Sequence, residues 1–345
     1  MSTDRLGTGT GAGMPHAPGP VIDVKNSPET SASGEPADRG VRTAGNKKRD
    51  GGGLIAYLFM APYLVLFTAF VILPAILGIW ISFRSYDLRL PGKPFVGLDN
   101  YRSLFDTESI RGEAFWNGMK ATGLFMLGSV PLLITLPLAV AMLMNAKFRG
   151  RNFFRAVYFA PYVLGVAVVS VVWRYLLDAN IGLVNYYIEK IPGVPNDIAW
   201  TTTLPWGWIA LIGVTVWWTL GFNAIIYLAA LQDIPGELYE AAKVDGASAW
   251  ERFRNVTIPG LRPVGLFIVS VTLLASANMF GQSYLITQGA PANRTRTVIY
   301  EIAETGLRNF DMGTAAAMSL IVTFFLMLLS VIVFFMFREK DEAKA

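Results

Sequence analysis

The sequence predicts an all-α, polytopic membrane protein built on six transmembrane helices. Three observations carry that expectation. Only 16% of the 345 residues are charged while 53% are hydrophobic, against about a quarter charged in soluble domains. Mean hydropathy is +0.43. Six stretches long enough to cross a bilayer contain no Asp, Glu, Lys, Arg or His, and a hydrocarbon core about 30 Å thick needs about 20 helical residues.

The elements follow in order. Residues 1–53 hold many Gly, Pro and Ser and few branched or aromatic side chains, so they bury too little to offset ordering entropy and read as a disordered cytoplasmic tail. The run Gly7-Thr8-Gly9-Thr10-Gly11 lacks a following Lys-Ser/Thr and is linker, not a phosphate loop. The body of the chain, residues 54–338, contains the uncharged runs Leu54 to Phe83, Ala121 to Ala146, Ala156 to Trp173, Thr202 to Gln232, Pro263 to Asn293 and Met312 to Phe337. Pro62, Pro74, Pro131, Pro137 and Pro161 fall inside them and predict kinks, tolerated where neighbouring helices take up the freed carbonyls. Residues 339–345 form a second cytoplasmic tail.

Orientation comes from the basic residues. Lys47, Lys48 and Arg49, then Lys147, Arg149, Arg151 and Arg155, then Lys243, Arg252, Arg254 and Arg262, then Arg338, Lys340 and Lys344 fall on one side. The other side holds Arg84, Arg89, Lys93, Arg102, Arg111, Lys190, Arg294, Arg296 and Arg308. The bias places both termini and the second and fourth loops in the cytoplasm. A net charge of +4 spread over short loops gives no support to nucleic-acid binding. With no cysteine, and His16 as the single histidine, thiolate chemistry, a Ser-His triad and a His-based metal site are excluded.

The fourth loop, 233–262, differs in kind. Pro235 suits a helix start with Glu237 and Glu240 near its positive end, and Gly246 supplies a stop. Ser248 and Glu251 then fit a capping box for a second helix that Pro259 ends. Trp250 and Phe253 give this elbow an aromatic face, and the small residues Ala241, Ala242, Gly246 and Ala247 allow another backbone to approach. On spacing alone the elbow is either an interfacial amphipathic hairpin or a knob for a partner's groove.

The run Glu240-Ala241-Ala242, followed by Asp245-Gly246-Ala247, Phe253 and Pro259, resembles the EAA loop of bacterial ABC-importer permeases. Leu231-Gln232-Asp233-Ile234-Pro235, Phe95 to Tyr101 and Tyr284 to Pro291 make it similar to the carbohydrate-uptake branch, which includes maltose and glycerol-phosphate permeases. The likeness covers about residues 55 to 338. Ile258, Ala290 and Gly281 depart from the family pattern, where Leu, Gly and often an acidic residue stand. The resemblance implies a type I ABC importer permease fold with a cytoplasmic coupling helix, in a bacterial inner or plasma membrane. It also implies a second related permease, two ATP-binding subunits and an external or periplasmic sugar-binding protein as partners.

The uncharged spans leave no intramembrane group for ion or proton coupling, and the chain has no Gly-x-x-x-x-Gly-Lys-Ser/Thr loop. Energy then comes either from a concentration gradient, as in a passive channel or carrier, or from outside the chain, and the cytoplasmic elbow favours the second: ATP and Mg are expected in a separate ATPase, with no cofactor on this chain and no enzymatic role for it. Glu240, Ala241, Ala242, Asp245, Gly246, Ala247, Phe253 and Pro259 are the expected coupling residues. A neutral saccharide fits an uncharged pathway, because rings stack on aromatics and amides read hydroxyls. Candidates are Trp217, Trp218, Asn223, Thr272, Ser276, Asn278, Gln282 and Tyr284, each also open to simple helix packing or headgroup anchoring. In the family resemblance, helices flanking the EAA loop contact sugar, which favours Ser276 and Asn278.

Overall fold

The computed structural model describes residues 52–146, 149–191 and 198–342; the expected N-terminal tail lies outside them up to residue 51. The chain divides into two units, Met1–Phe59 and Met60–Ala345, and the packing described below belongs to the second.

The helices are α1 (Gly52–Phe67), α2 (Leu73–Ser82), α3 (Asp99–Phe105), α4 (Ile110–Asn145), α5 (Arg151–Val163), α6 (Val166–Leu176), α7 (Leu183–Ile188), α8 (Trp206–Asp233), α9 (Gly236–Val244), α10 (Ala249–Arg252), α11 (Ile258–Gly260), α12 (Arg262–Ala277), α13 (Val298–Ala303) and α14 (Met312–Glu342). Widened helical turns occupy Thr68–Ile72, Phe253–Thr257, Ser283–Thr287 and Glu304–Arg308. The first two directly precede helices in which Pro74 and Pro259 take an early position; the missing proline N–H disrupts the regular ladder there, and the wider turn absorbs it.

Four stretches are long and apolar enough to cross a membrane: Leu58–Ser82, Ile110–Asn145, Trp206–Asp233 and Met312–Met336. Two more arise only if bent pairs are each one span: Arg151–Val163 with Val166–Leu176, bent by 98°, and Ala249–Gly260 with Arg262–Ala277, bent by 71°. Several expectations are thereby corrected and others met. The third uncharged run is two half-helices, because Leu164 leaves the helical region at ψ 138° and Gly165 follows at ψ 148°. The fifth, longer than one span as its sequence already shows, keeps regular helix only to Ala277, as expected of a run whose end belongs to a loop. Pro259 sits within the last helical turn of the elbow instead of ending it. Pro131 and Pro137 lie within α4 and are tolerated there, as expected, with α4 continuing as one helix through both. α14 continues to Glu342, into the segment read as tail.

α4 and α8 form the most extensive helix pair, with α12 on α4, α5 on α8, and α14 against α2. Three apolar clusters follow α4 along its length. Phe115 at its start joins Leu104, Val298 and Met318. Phe125 joins Val169, Leu211 and Met279. Ala141 and Met144 at its end join Tyr227, Leu261 and Ile268. α4 begins with Ser109, whose hydroxyl accepts the Gly112 N–H at 3.0 Å, and its Thr122 hydroxyl in turn accepts the Val298 N–H of α13 at 3.0 Å. By contrast, none of the most apolar window of Leu58–Ser82 is buried, as expected of a helix whose solvent is lipid.

Candidate functional site

Pro137 has no N–H, so the carbonyl of Leu133, four residues back in α4, loses its helical partner. Asn223 in the middle of α8 supplies the replacement: its Nδ2 donates to Leu133 O at 2.9 Å and also to the Thr272 hydroxyl of α12 at 3.3 Å. Around this junction Ser129 of α4 donates to Ser276 of α12 at 3.5 Å, and Gln282 donates to Thr215 of α8 at 3.5 Å. Asn223, Thr272, Ser276 and Gln282 are all buried.

These four side chains line one cavity of about 160 Å³. Its wall includes Trp218, Phe222 and Tyr162, the last stacked on Phe222 with centroids 4.7 Å apart and an interplanar angle of 18°. Neither a carboxylate nor a cationic side chain lines it. The indole N–H of Trp218 donates to Leu164 O at 3.0 Å, taking up a carbonyl at the α5–α6 break. Gly281 lies beside that break, where a Cβ would come 2.8 Å from a methyl of Val166. The half-helices thus meet at the rim of the cavity. At Gly221 a Cβ would run into the Tyr158 and Phe159 backbone, so the bare glycine is what lets α5 reach α8.

Of the expected pathway residues, the fold brings together Trp218, Asn223, Thr272, Ser276 and Gln282. It leaves three outside. Asn278 is exposed and donates to Leu274 O at 2.8 Å within its own helix. Trp217 packs edge-on against Trp173 at 5.3 Å, and Tyr284 stacks on Phe280 at 5.2 Å. Tyr162, Phe222, Thr215 and the Leu133 carbonyl belong to the cavity without having been singled out in the sequence. Pro137 was the signal for the last of these.

The elbow forms as its residues dictate. Gly246 adopts φ +78°, and the bonds Gly246 N to Lys243 O at 3.0 Å and Ala247 N to Ala242 O at 2.9 Å complete a Schellman stop for α9. The Ser248 N–H donates to Glu251 Oε2 at 2.6 Å, and the Glu251 N–H to Ser248 Oγ at 3.3 Å, which is the reciprocal capping box of α10. Those Ser248 bonds, the backbone one first, hold the Glu251 carboxyl below its ordinary pKa. Tyr239 and Thr257 hydroxyls, 3.0 Å apart, tie the two arms. Glu240, Ala241, Asp245, Gly246 and Pro259 are exposed, while Ala242, Ala247 and Phe253 are half-buried. Trp250 stacks obliquely on Phe253 at 5.4 Å. The elbow offers an open surface with a fixed turn.

Helices long and apolar enough to cross a membrane, an uncharged polar cavity between them and a capped polar elbow fit the class of membrane transport subunits. The comparisons give the family. The chain matches the model of the binding-protein-dependent transport system inner membrane component family over residues 133–339, and it belongs to that family, bearing out the resemblance to ABC-importer permeases. It is similar to the trehalose/maltose transport system permease protein of Thermococcus litoralis, 34% identical over 280 residues, covering 81% of this chain and 92% of that one. It is also similar to a probable starch degradation products transport system permease protein of Thermoanaerobacterium thermosulfurigenes, 29% identical over 291 residues, covering 84% and 96%. Among solved structures, its fold matches a chain of a bacterial alginate ABC transporter in complex with an alginate pentasaccharide-bound periplasmic protein, with TM-score 0.71, 22% identity and coverage of 81% and 92%.

Proposed function

We propose that this chain forms half of the translocation pathway of an ATP-driven importer for a neutral sugar or oligosaccharide. The observation that carries this is the cavity lined by Asn223, Thr272, Ser276 and Gln282, with Trp218, Phe222 and Tyr162 beside them and no charged side chain. Amides and hydroxyls exchange hydrogen bonds with sugar hydroxyls, and the Tyr162–Phe222 stack offers a flat apolar face to ring C–H groups. A charged solute would enter without a counter-charge, at a high desolvation cost. Relatives named for starch products and for trehalose and maltose support the saccharide class.

In this reading each bent pair is one span, residues 54–338 make six spans, and both termini are cytoplasmic. The elbow 233–262 seats in a groove of a separate ATPase, where ATP and Mg are bound. Glu240 anchors it through charge-assisted hydrogen bonds, and Ala241, Ala242, Asp245, Gly246, Ala247, Phe253 and Pro259 shape the contact. Closure of two ATPase subunits moves the elbow as a rigid body and rocks the helices between inward and outward access. A second permease and an external sugar-binding protein complete the assembly. The family's name and the binding-protein complex of the alginate transporter support that partner set.

The test is uptake by the assembled transporter. Thr272→Val with Asn223→Leu removes the polar junction while keeping volume, and is expected to lower neutral-sugar import at least tenfold with basal ATP hydrolysis retained, about 1.4 kcal/mol or more of lost interaction. Unchanged import would remove this cavity from the pathway.

A further inference from the structure

The turn between α4 and α5 carries chemistry that the transport reading does not use. α4 ends at Asn145, and α5 starts after Gly150, which holds φ +88°. Arg149 and Arg151 flank that glycine, both exposed, and neither forms an ion pair among the described residues. Arg155, one turn on, reaches Met144 O at 3.5 Å and fastens α5 to the end of α4. The first turn of α5 has no acidic residue and no side-chain cap, so its positive end adds to the guanidinium charge. Like charges gathered this way call for an anion from outside the chain.

The neighbours say which kind. Phe153 and Phe154 are 68% and 45% exposed and meet edge-on at 5.9 Å. Leu143, in the last turn of α4, is 69% exposed. The uncharged part of α4, long and apolar enough to span, runs almost to this turn, so the turn's basic residues follow directly on the end of the apolar segment. Guanidinium groups pair with phosphate in bidentate fashion, and aromatic rings settle at the same level. An acidic patch on a soluble subunit would match the arginines but would leave the exposed Phe153 and Leu143 unexplained.

We propose that Arg149 and Arg151, with Phe153 and Phe154 beside them, form a binding site for the headgroup of an anionic phospholipid. The site depends on α4 being a span and not on which solute is carried, so its failure and that of the sugar reading are separate events. The experiment reconstitutes the full-length protein in nanodiscs of equal phosphatidylglycerol and phosphatidylcholine, extracts it mildly, and counts retained lipids by native mass spectrometry. The native protein is expected to retain phosphatidylglycerol preferentially. Arg149→Gln with Arg151→Gln should cut that preference about fivefold per arginine, roughly 25-fold together, with phosphatidylcholine unaffected, and Arg149→Lys with Arg151→Lys should keep most of it. Raising salt from about 0.05 M to about 0.5 M should erode the preference of the native protein without any variant. Equal retention of both lipids, or a preference indifferent to the Gln variants and to salt, overturns the site. So does loss of a co-purifying ATPase with lipid retention intact, which would assign the surface to a protein.

Discussion

Asn223 bonds to two neighbouring helices at once, and the sequence singled it out as a candidate for sugar contact or for helix packing. Its neighbours in the candidate set show what a one-dimensional reading misses. Ser276 and Asn278 are two residues apart, about 200° around a helix, so the first enters the cavity while the second faces away. Trp217 and Trp218 differ by about 100°, and only Trp218 lines the wall. A list of polar and aromatic residues names the site, but only the packing of α4, α8 and α12 says which rotation is presented. Gly246 is the residue whose role is most local: at φ +78° a side chain costs about 1–2 kcal/mol and a β-branched one more. Gly246→Val is expected to abolish uptake and uncouple ATP hydrolysis while membrane insertion and expression stay normal. Transport assays on proteoliposomes decide it, and normal uptake would remove the elbow as a lever.

At the scale of elements, the elbow was legible almost entirely, since Pro235, Gly246, Ser248 and Glu251 each specify backbone geometry by their own chemistry. Ser248→Ala should cost about 1 kcal/mol of local helix stability, read as faster amide exchange over Ala249 to Arg252. Glu251 adds a sign that can be worked out. Its folded pKa is depressed by the Ser248 bonds, so its contribution is present above the unfolded value of about 4.3 and lost as pH falls through the lower folded one. Amide protection of α10 should therefore be flat from neutral pH to about 5 and fall below that. Glu251→Gln, which still caps, should flatten the acid limb. The α5–α6 break was legible only as the kink expected at Pro161; its place and its sharpness, set where Leu164 and Gly165 leave the helical region, were not. Nor was the α5–α8 approach, which depends on Gly221 meeting a backbone distant in sequence. Gly221→Ala should force the two apart at about 1–3 kcal/mol, seen as a lower melting temperature in detergent. An unchanged melting point would mean that α5 can shift without loss.

For the whole molecule, hydropathy exposed the apolar segments because lipid leaves no alternative to internally bonded helices, whereas the expected partners came only from the resemblance that the elbow carries. Mild extraction is expected to recover a second permease and a pair of ATP-binding subunits with this chain, countable by native mass spectrometry; recovery of a lone chain would remove the importer reading. The polar ties inside the bundle bear on how such an assembly works. Asn223 links α8 to both α4 and α12, and Ser129 with Ser276 links α4 to α12, so the three helices close a triangle of bonds. Sliding any one of them strains two sides of that triangle together. Displacing one helix alone is therefore penalised, and the three resist shear together, as a braced frame does and an unbraced one does not.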